Sequence, residues 1–412
     1  MTGKTTPTAG NLERGRGPIG VGLVGVGWMG RLHSQSYRRV NYHYPELSLR
    51  PKLVIAADLV KERAQLAADE FGYEEWTDEW QRVVSHPDVD LVSITVPNYL
   101  HREVAEAAAL NGKHFWIEKP AGRDLDETTA IASAACAAQV FTAVGFNYRY
   151  VPAIQRAREL VRTGQVGRVN HARGVFFNGY GADPRGALSW RFRRSLGGSG
   201  ALGDLMSHTV DMLQYILGPV ESVSGLTSMA IRQRPKLPMG VGTHFAIVEN
   251  GELLQVENED YVAALVKFGS GTVGTCEASR ISVGPQCQLA FDIYGTEGAV
   301  SWDFERMNEL RACIGPAGPD RGYTRLLATP GYGDYLHFQP GPAIAMSYDD
   351  LKVVEAERFL RSIATGRQLG AGVLSALSTA EVLAAIERAA KSGLWEPVAR
   401  SDKFLEVGGG VE

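Results

Sequence analysis

Short apolar runs alternate with helical patterns along the first 150 residues, and this alternation constrains the fold more than any other feature. The runs carry few polar residues, as expected for strands that helices cover on both sheet faces. The alternation predicts a parallel, doubly wound α/β sheet. The predicted strands are Ile19–Val24, Leu53–Ala57, Leu91–Val96, His114–Ile117 and Val140–Val144. The predicted helices are Lys61–Phe71, Glu79–Ser85, Leu100–Leu110 and Glu127–Ala138.

After a predicted helix at Ala153–Arg162, strands dominate the pattern, and glycine-containing turns at 267–272 and 294–298 predict two hairpins. Such a run of strands predicts an α+β domain with a large open, mostly antiparallel sheet. Residues 316–346 predict a long loop, because they are rich in Gly, Pro and Tyr. The predicted strands are Val169–Phe177, Tyr261–Phe268, Gly271–Glu277, Gln288–Tyr294 and Ala299–Trp302, and the closing helices are Tyr348–Ala364 and Val373–Ser392.

The chain length of 412 residues accommodates two domains. We predict a disordered tail over residues 1–17, a first domain over 18–150 and a second over 151–412, whose last helix is able to pack back on the first domain. A net charge of −4 gives no support for nucleic-acid binding, and no apolar stretch reaches the length of a membrane span. The four cysteines form no Cys-x-x-Cys pair, which favours free thiols in the cytoplasm.

A Gly-x-Gly-x-x-Gly motif follows the first predicted strand and opens a helix, which is the context of a dinucleotide site. Gly25 permits a tight turn, Gly27 lets the backbone approach a pyrophosphate, and Gly30 permits close packing of helix on strand. The helix N-terminus then offers free N–H groups to the phosphates. Trp28 and Met29 lie in the same turn, so we expect them at the cofactor as well.

Asp58 ends the second predicted strand, where a carboxylate can accept hydrogen bonds from the adenosine ribose. A carboxylate there would repel a 2′-phosphate, so the sequence predicts NAD rather than NADP. The alternative is an ordinary N-cap for a helix over Val60–Phe71. Asp58 lies 28 residues after Gly30, against about 20 in the usual pattern, and we assign the excess to an insertion at Asn41–Pro51.

Three residues predict proton-transfer chemistry. Lys119 ends a predicted parallel strand, beyond which such sheets bind ligands. Asp204 and His208 are four apart in a predicted helix, Gly203–Leu217, and therefore share a face. A glycine-rich segment precedes that helix, which suits close approach to a ligand. The alternatives are a surface lysine, a capping aspartate and a buried, hydrogen-bonded histidine.

Other polar residues near predicted strand ends are candidates for the same site, although each is equally explained by capping or packing. No His, Cys, Asp or Glu cluster has metal-ligand spacing, so we predict no metal. The further cofactor candidates are Val96, Pro97, Asn98, His101, Glu118, Lys119 and Asn147, and the substrate candidates are Lys119, Tyr148, Arg149, Trp190, Arg191, Asp204 and His208.

The ordered set of motifs resembles the Gfo/Idh/MocA oxidoreductases, the family of glucose–fructose oxidoreductase, inositol dehydrogenase and rhizopine-catabolism proteins. The resemblance implies a Rossmann domain, an α+β domain whose open sheet mediates homodimer or homotetramer formation, and a catalytic group at Lys119, Asp204 and His208. Met29 and Met206 depart from the family pattern without changing a reactive atom. The insertion and the long loop depart from it too, and they leave the substrate open. The matching stretches are Gly22–Gly30, Val96–His101, Gly112–Gly122, Gly145–Ala153 and Gly197–Asp211.

We therefore expect an NAD-dependent oxidoreductase that acts on a secondary hydroxyl of a sugar, an anhydrosugar resembling levoglucosan, or a cyclitol resembling inositol. His208 is the expected base, because its pKa lies near neutrality. Lys119 is expected to donate to the oxygen that becomes a carbonyl, or to act as the base itself. Asp204 either orients the substrate or holds the histidine tautomer. The alternative functions are a redox-neutral glycosidase that retains NAD, a glycoside 3-oxidase, and a non-catalytic NAD-binding regulator.

Overall fold

The computed structural model describes residues 17–237 and 246–401. The predicted disordered tail lies outside the described residues, apart from Gly17, which begins the first strand. Every described cysteine is a free thiol. Within the described ranges, no helix combines the length and apolar character needed to cross a membrane.

The first sheet has six parallel strands in the order β3-β2-β1-β4-β5-β6. This doubly wound order confirms the predicted parallel sheet. Its strands are β1 Gly17–Val24, β2 Leu49–Ala57, β3 Glu75–Thr77, β4 Leu91–Ile94, β5 His114–Ile117 and β6 Thr142–Val144. Its helices are α1 Trp28–His43, α2 Lys61–Phe71, α3 Trp80–Ser85, α4 Asn98–Leu110 and α5 Leu125–Ala137.

The second sheet has nine strands in the order β16-β15-β14-β13-β7-β12-β11-β8-β17, and a short β9-β10 pair lies apart. Among the described strands of this sheet, only β7 and β12 pair in parallel, which confirms a mostly antiparallel sheet. The strands are β7 Val169–Asn178, β8 Val220–Ser228, β9 Gln233–Pro235, β10 Leu253–Gln255, β11 Tyr261–Phe268, β12 Val273–Ser279, β13 Cys287–Gly295, β14 Ala299–Asp303, β15 Glu309–Cys313, β16 Thr324–Leu327 and β17 Glu396–Pro397. The helices are α6 Pro152–Arg162, α7 Arg194–Gly197, α8 Ser207–Leu217, α9 Tyr348–Thr365 and α10 Val373–Ser392.

Two predicted elements differ from the structure in kind, and several others differ only in their bounds. The predicted loop over 316–346 contains β16, which forms because its backbone pairs with β15 and extends the sheet by an edge strand. The predicted helix over 203–217 is α-helical only from Ser207; before it, Leu202–Met206 forms a π-helical turn. Such turns place an extra residue in the helix and occur frequently at functional sites.

One face of the second sheet packs against α6, α8 and α10, and the other faces solvent. On the solvent face, Leu265 and Val273 are about half exposed. Farther along the same face, a groove is lined by Arg173, Asp292 and Arg311 among others. The outer face is therefore apolar in one part and charged in another.

Two of the departures from the family pattern, the insertion and the long loop, pack against each other. Within Asn41–Pro51, α1 continues to His43 and β2 begins at Leu49, so the extra residues lengthen two regular elements. The Tyr44 hydroxyl donates to Asp334 of the long loop at 3.1 Å, and Arg358 of α9 donates to the same carboxylate. Two helices of the second predicted domain pack on the first: α9 packs on α1, and α10 packs on α5. A domain boundary at residue 150 therefore stays a prediction.

Candidate active site

The glycine loop between β1 and α1 has the geometry that a dinucleotide requires. Gly25 has φ +95°, and a methyl group added there would come within 2.8 Å of the Thr95 carbonyl oxygen. A Cβ on Gly30 would lie 2.1 Å from the Gly25 carbonyl oxygen, whereas a Cβ on Gly27 would meet no atom within 4 Å. The open space thus lies where the pyrophosphate is expected.

The N-terminus of α1 is free to receive an anion, because no side chain caps it and its first turn carries no acidic residue. Trp28 is 67% exposed at this point, and its ring stacks on Tyr348 with 5.7 Å between centroids. Met29 is partly buried beside it. The loop, the helix end and the open space together fit a bound dinucleotide.

Asp58 lies directly after β2 and is partly exposed. Its Oδ2 accepts from the Val26 amide at 2.8 Å, and its Oδ1 accepts from the Val60 amide at 2.9 Å. The N-cap of α2 is Val60, with no side-chain cap, so Asp58 is not the helix cap of the alternative interpretation. Each carboxylate oxygen keeps acceptor capacity for a ribose hydroxyl.

Lys119 and Asp204 form an ion pair across the two halves of the chain. The Lys119 Nζ donates to Asp204 Oδ1 at 2.9 Å and to the Asp204 carbonyl oxygen at 2.8 Å. Asp204 lies in the π-helical turn, and both of its acceptor oxygens meet Lys119 just after the end of β5. Burial acts to raise the pKa of Asp204, but the charges of Lys119 and Arg191 outweigh it and hold that pKa well below its usual range. Asp204 is therefore an anion rather than a proton carrier.

His208 lies in the first turn of α8 and is 6% exposed. Burial, followed by the charge of Lys119, holds its pKa well below the ordinary value, although Asp204 and Glu118 act in the opposite direction. Its ring packs edge-on against Tyr148 with 4.8 Å between centroids. Within the described ranges, the imidazole makes no hydrogen bond. The ring is therefore neutral near pH 7 and able to accept a proton.

Two further side chains donate to Asp204. The Tyr180 hydroxyl donates to Oδ2 at 2.8 Å, and Arg191 approaches Oδ1 at 3.4 Å while its guanidinium stacks on Trp190 at 4.5 Å. Sequence reasoning missed Tyr180, for which the only signal was its place just after a strand end. No hydrogen bond joins Asp204 to His208, so the geometry favours a substrate-orienting Asp204 over a tautomer-holding one.

The glycine-rich segment before Asp204 is fixed by both halves of the chain. Asn98 begins α4, directly after Pro97, and donates to the Gly197 carbonyl at 3.0 Å. Asn258 donates to the Gly198 carbonyl at 3.0 Å. A Cβ on Gly200 would lie 1.9 Å from the Glu259 carbonyl oxygen, so this close approach requires glycine. Asn98 is thus committed to the segment that carries Asp204.

Several predicted site residues have other partners in the structure. Both nitrogens of His101 face backbone carbonyls, at 2.9 Å from Pro120 and 2.8 Å from Val96, and leave none for a ligand. Arg149 forms a two-bond ion pair with Asp211 and stacks on a tyrosine of α8, away from Asp204. We therefore leave His101 and Arg149 out of the proposed ligand contacts.

The remaining predicted site residues, Glu118 and Asn147, are buried beside α9. Glu118 contacts His33 and Lys352, and Asn147 is fully buried next to Tyr348. Among the described residues, no group of three His, Cys, Asp or Glu could hold a metal ion. The reactive groups available at this edge of the sheet are therefore the amine, carboxylate and imidazole of Lys119, Asp204 and His208.

Two family models match this chain. Residues 19–146 match "Oxidoreductase family, NAD-binding Rossmann fold", and residues 154–301 match "GFO/IDH/MocA C-terminal domain". These two matches cover more than half of the chain. The first spans nearly all of the six-stranded sheet, and the second spans the nine-stranded sheet up to β14. They confirm the predicted Rossmann fold and the dinucleotide cofactor.

Similar proteins include dehydrogenases of sugar derivatives. Levoglucosan dehydrogenase of Pseudarthrobacter phenanthrenivorans is 34% identical over 92% of this chain and 98% of that protein. The scyllo-inositol 2-dehydrogenase (NAD(+)) of Bacillus subtilis is 30% identical over 60% of this chain and 65% of its own length.

Among solved structures, a levoglucosan dehydrogenase in complex with NADH and levoglucosan has a TM-score of 0.87 and 33% identity, covering 93% of this chain and all of that one. In this chain, the Lys119–Asp204 ion pair joins the two regions that the family models match. Together with the glycine loop and this ion pair, the comparisons confirm that the chain belongs to the Gfo/Idh/MocA family of NAD-dependent oxidoreductases.

Proposed function

We propose that this protein oxidises a secondary hydroxyl of an anhydrosugar or a related polyol with NAD, using Lys119, Asp204 and His208. The observation that carries the proposal is the Lys119–Asp204 ion pair, which lies one helical turn from a buried, neutral imidazole. An ammonium and a neutral base together suit removal of a hydroxyl proton.

Each residue has a separate task in this scheme. His208 accepts the hydroxyl proton, because its ring is neutral and makes no competing hydrogen bond within the described part of the chain. Lys119 donates to the substrate oxygen and favours its developing negative charge. Asp204, held by Tyr180 and Arg191, fixes the direction of the Lys119 amine and orients the hydroxyl. The bound dinucleotide supplies the hydride acceptor.

The substrate class is proposed from the comparisons. The levoglucosan dehydrogenase matches almost the whole chain, whereas the scyllo-inositol 2-dehydrogenase matches 60% of it. An anhydrosugar of the levoglucosan type is therefore the first candidate, and pyranoses and inositols follow. Trp190, Arg191 and Tyr148 are the proposed substrate contacts beside the catalytic group.

The test is a screen for NAD reduction with levoglucosan-type anhydrosugars, pyranoses, inositols and glycosides. Formation of NADH with an anhydrosugar or polyol supports the proposal. Cleavage of a glycoside without net NADH formation would instead indicate a redox-neutral glycosidase. Tight NAD binding without turnover of any compound would indicate a regulator.

We also propose a cytoplasmic homodimer or homotetramer. The support for assembly is the solvent face of the second sheet, where Leu265 and Val273 remain about half exposed in the single chain. A particle mass of only 44.7 kDa in dilute solution, the mass of one chain, would contradict it.

A further inference from the structure

A buried group of charged side chains lies directly behind Lys119 and is not used by the chemistry proposed above. The Lys352 ammonium, on α9, is 2.5 Å from Glu118 Oε1 and 2.9 Å from Glu355 Oε2. His33 of α1 contacts the same Glu118 oxygen at 3.0 Å. The side chains of Lys352 and Glu355 are each only 1% exposed. We call these four residues the Lys352 cluster.

The Lys352 cluster holds one cation for two carboxylates. Burial lowers the pKa of His33 to about 4, so its ring is neutral. Burial opposes the charge of Lys352, but Glu118 and Glu355 outweigh it and raise the lysine pKa. Burial also acts to raise the pKa of Glu118, but Lys352 and His33 outweigh it and lower that pKa. Ionised Lys352 and Glu118 therefore balance each other, and the protonation of Glu355 decides the net charge.

Burial raises the pKa of Glu355 to about 7, against the opposing charge of Lys352. The charges of the cluster also act on two imidazoles, His101 of α4 and His208 of α8, and burial lowers the pKa of both. Three phenols face it as well: Tyr37 of α1, Tyr150 after β6 and Tyr348 of α9. Burial raises the pKa of each, so all three stay neutral near pH 7. Glu355 is therefore the member of this environment that titrates near neutrality.

The Lys352 cluster also lies within electrostatic reach of the reacting end of the site. Glu118 directly precedes Lys119 at the end of β5. The charge of Glu118 raises the pKa of His208, and the charge of Lys352 lowers it. Oxidised nicotinamide carries a positive charge that the reduced ring lacks. Because buried charges are weakly screened, a cluster with ionised Glu355 favours the oxidised cofactor.

We propose that the Lys352 cluster is a redox-linked proton site, in which Glu355 is ionised with NAD⁺ bound and takes up a proton from solvent with NADH bound. Substrate oxidation converts R₂CHOH and NAD⁺ to R₂C=O, NADH and one proton, which His208 receives. The Glu355 proton is additional to that one. The inference rests on the NAD dependence of the proposed function, but not on the identity of the substrate.

The test counts protons taken up on cofactor binding, without substrate. Isothermal titration calorimetry at pH 7, in buffers of different ionisation enthalpy, gives this number for NAD⁺ and for NADH. For the unmutated protein, we expect NADH binding to take up more protons than NAD⁺ binding. Equal numbers would overturn the proposal, and this result does not depend on any variant folding. Glu355→Gln, which keeps the side-chain size, should abolish the difference.

The affinity ratio gives a second readout. A higher pH ionises Glu355 and favours NAD⁺, so the ratio Kd(NAD⁺)/Kd(NADH) should fall by roughly sixfold between about pH 6 and 8, for a pKa displacement of about one unit. The ratio should be nearly constant in Glu355→Gln. Failure to bind either dinucleotide would contradict the proposed function itself, not the proton linkage.

His208 also responds to the charges of Glu118 and Lys352, so His208→Asn is the matched control. The pH dependence should persist in this variant, because Glu355 is intact. If it disappears in His208→Asn and persists in Glu355→Gln, then His208 is the linked group and the proposal for the Lys352 cluster is wrong.

Discussion

Replacing Asp204 by asparagine isolates the contribution of its charge. The carboxylate accepts from Lys119 at 2.9 Å, Tyr180 at 2.8 Å and Arg191 at 3.4 Å. Asparagine keeps the size and one acceptor oxygen for Lys119, while the Tyr180 hydroxyl can rotate to accept from the new amide. The site stays hydrogen-bonded, but the ammonium loses its counter-charge and its direction.

The expected loss of kcat/KM in Asp204→Asn follows from the strength of hydrogen bonds to charged groups, about 1.5–3 kcal/mol. At about 1.4 kcal/mol per tenfold change, kcat/KM should fall roughly 10- to 150-fold. The assay is the initial rate of NADH formation with the polyol that the screen identifies. The free energy of unfolding, measured by urea denaturation, shows whether the variant folds normally.

Asp211→Asn is the matched control, because this α8 carboxylate also pairs with a buried cation, Arg149. It should lower the free energy of unfolding with kcat close to that of the unmutated protein. Equal losses of kcat in Asp204→Asn and Asp211→Asn would show that Asp204 acts only through stability. Unchanged kcat/KM in Asp204→Asn would refute its orienting role.

The remaining predictions concern the base, the lysine and the cofactor loop. His208→Asn and Lys119→Met should each lower kcat by roughly two to four orders of magnitude, with little change in the Kd of NADH measured by fluorescence. Near-normal turnover in both variants would show that Lys119 and His208 have a structural role only. Asp58→Ser should weaken NAD binding and reduce the preference for NAD over NADP, because it removes the proposed ribose acceptor and the carboxylate that accepts from the Val26 amide. An unchanged ratio of kcat/KM for NAD to kcat/KM for NADP would argue against the ribose contact. The base must be neutral, and His208 is neutral above its lowered pKa, so kcat/KM should persist as pH falls past 6.5 and decline only at lower pH. A decline with its midpoint at or above 6.5 would show that His208 is not a base with a lowered pKa.

Local sequence patterns predicted many elements with their observed bounds. The helices Lys61–Phe71 and Val373–Ser392 and the strands His114–Ile117 and Tyr261–Phe268 are examples. Their signals lie within the segment itself, as hydrophobic periodicity and turn residues. β16 escaped prediction because it depends on pairing with β15 across a glycine-rich connection. The π-helical turn before α8 also depends on a distant partner, since Glu259 Oε1 accepts from the Leu202 amide.

The sequence by itself determined which chemical groups are available and where the dinucleotide loop begins. Gly25, Lys119, Asp204 and His208 were identified from residue type, spacing and strand ends alone. These signals are local, or they follow from the rule that parallel strands present ligands at their carboxyl ends.

Only the tertiary structure decided which of these groups meet and in what charge state. Lys119 and Asp204 are 85 residues apart, and Glu118 and Lys352 are 234 apart. No local pattern encodes such contacts, because they arise when separate elements pack together. The same packing commits Arg149 to Asp211, brings Tyr180 to Asp204 and removes water from His208. Because a pKa depends on burial and neighbouring charge, the neutral imidazole is a property of the fold rather than of the sequence motif.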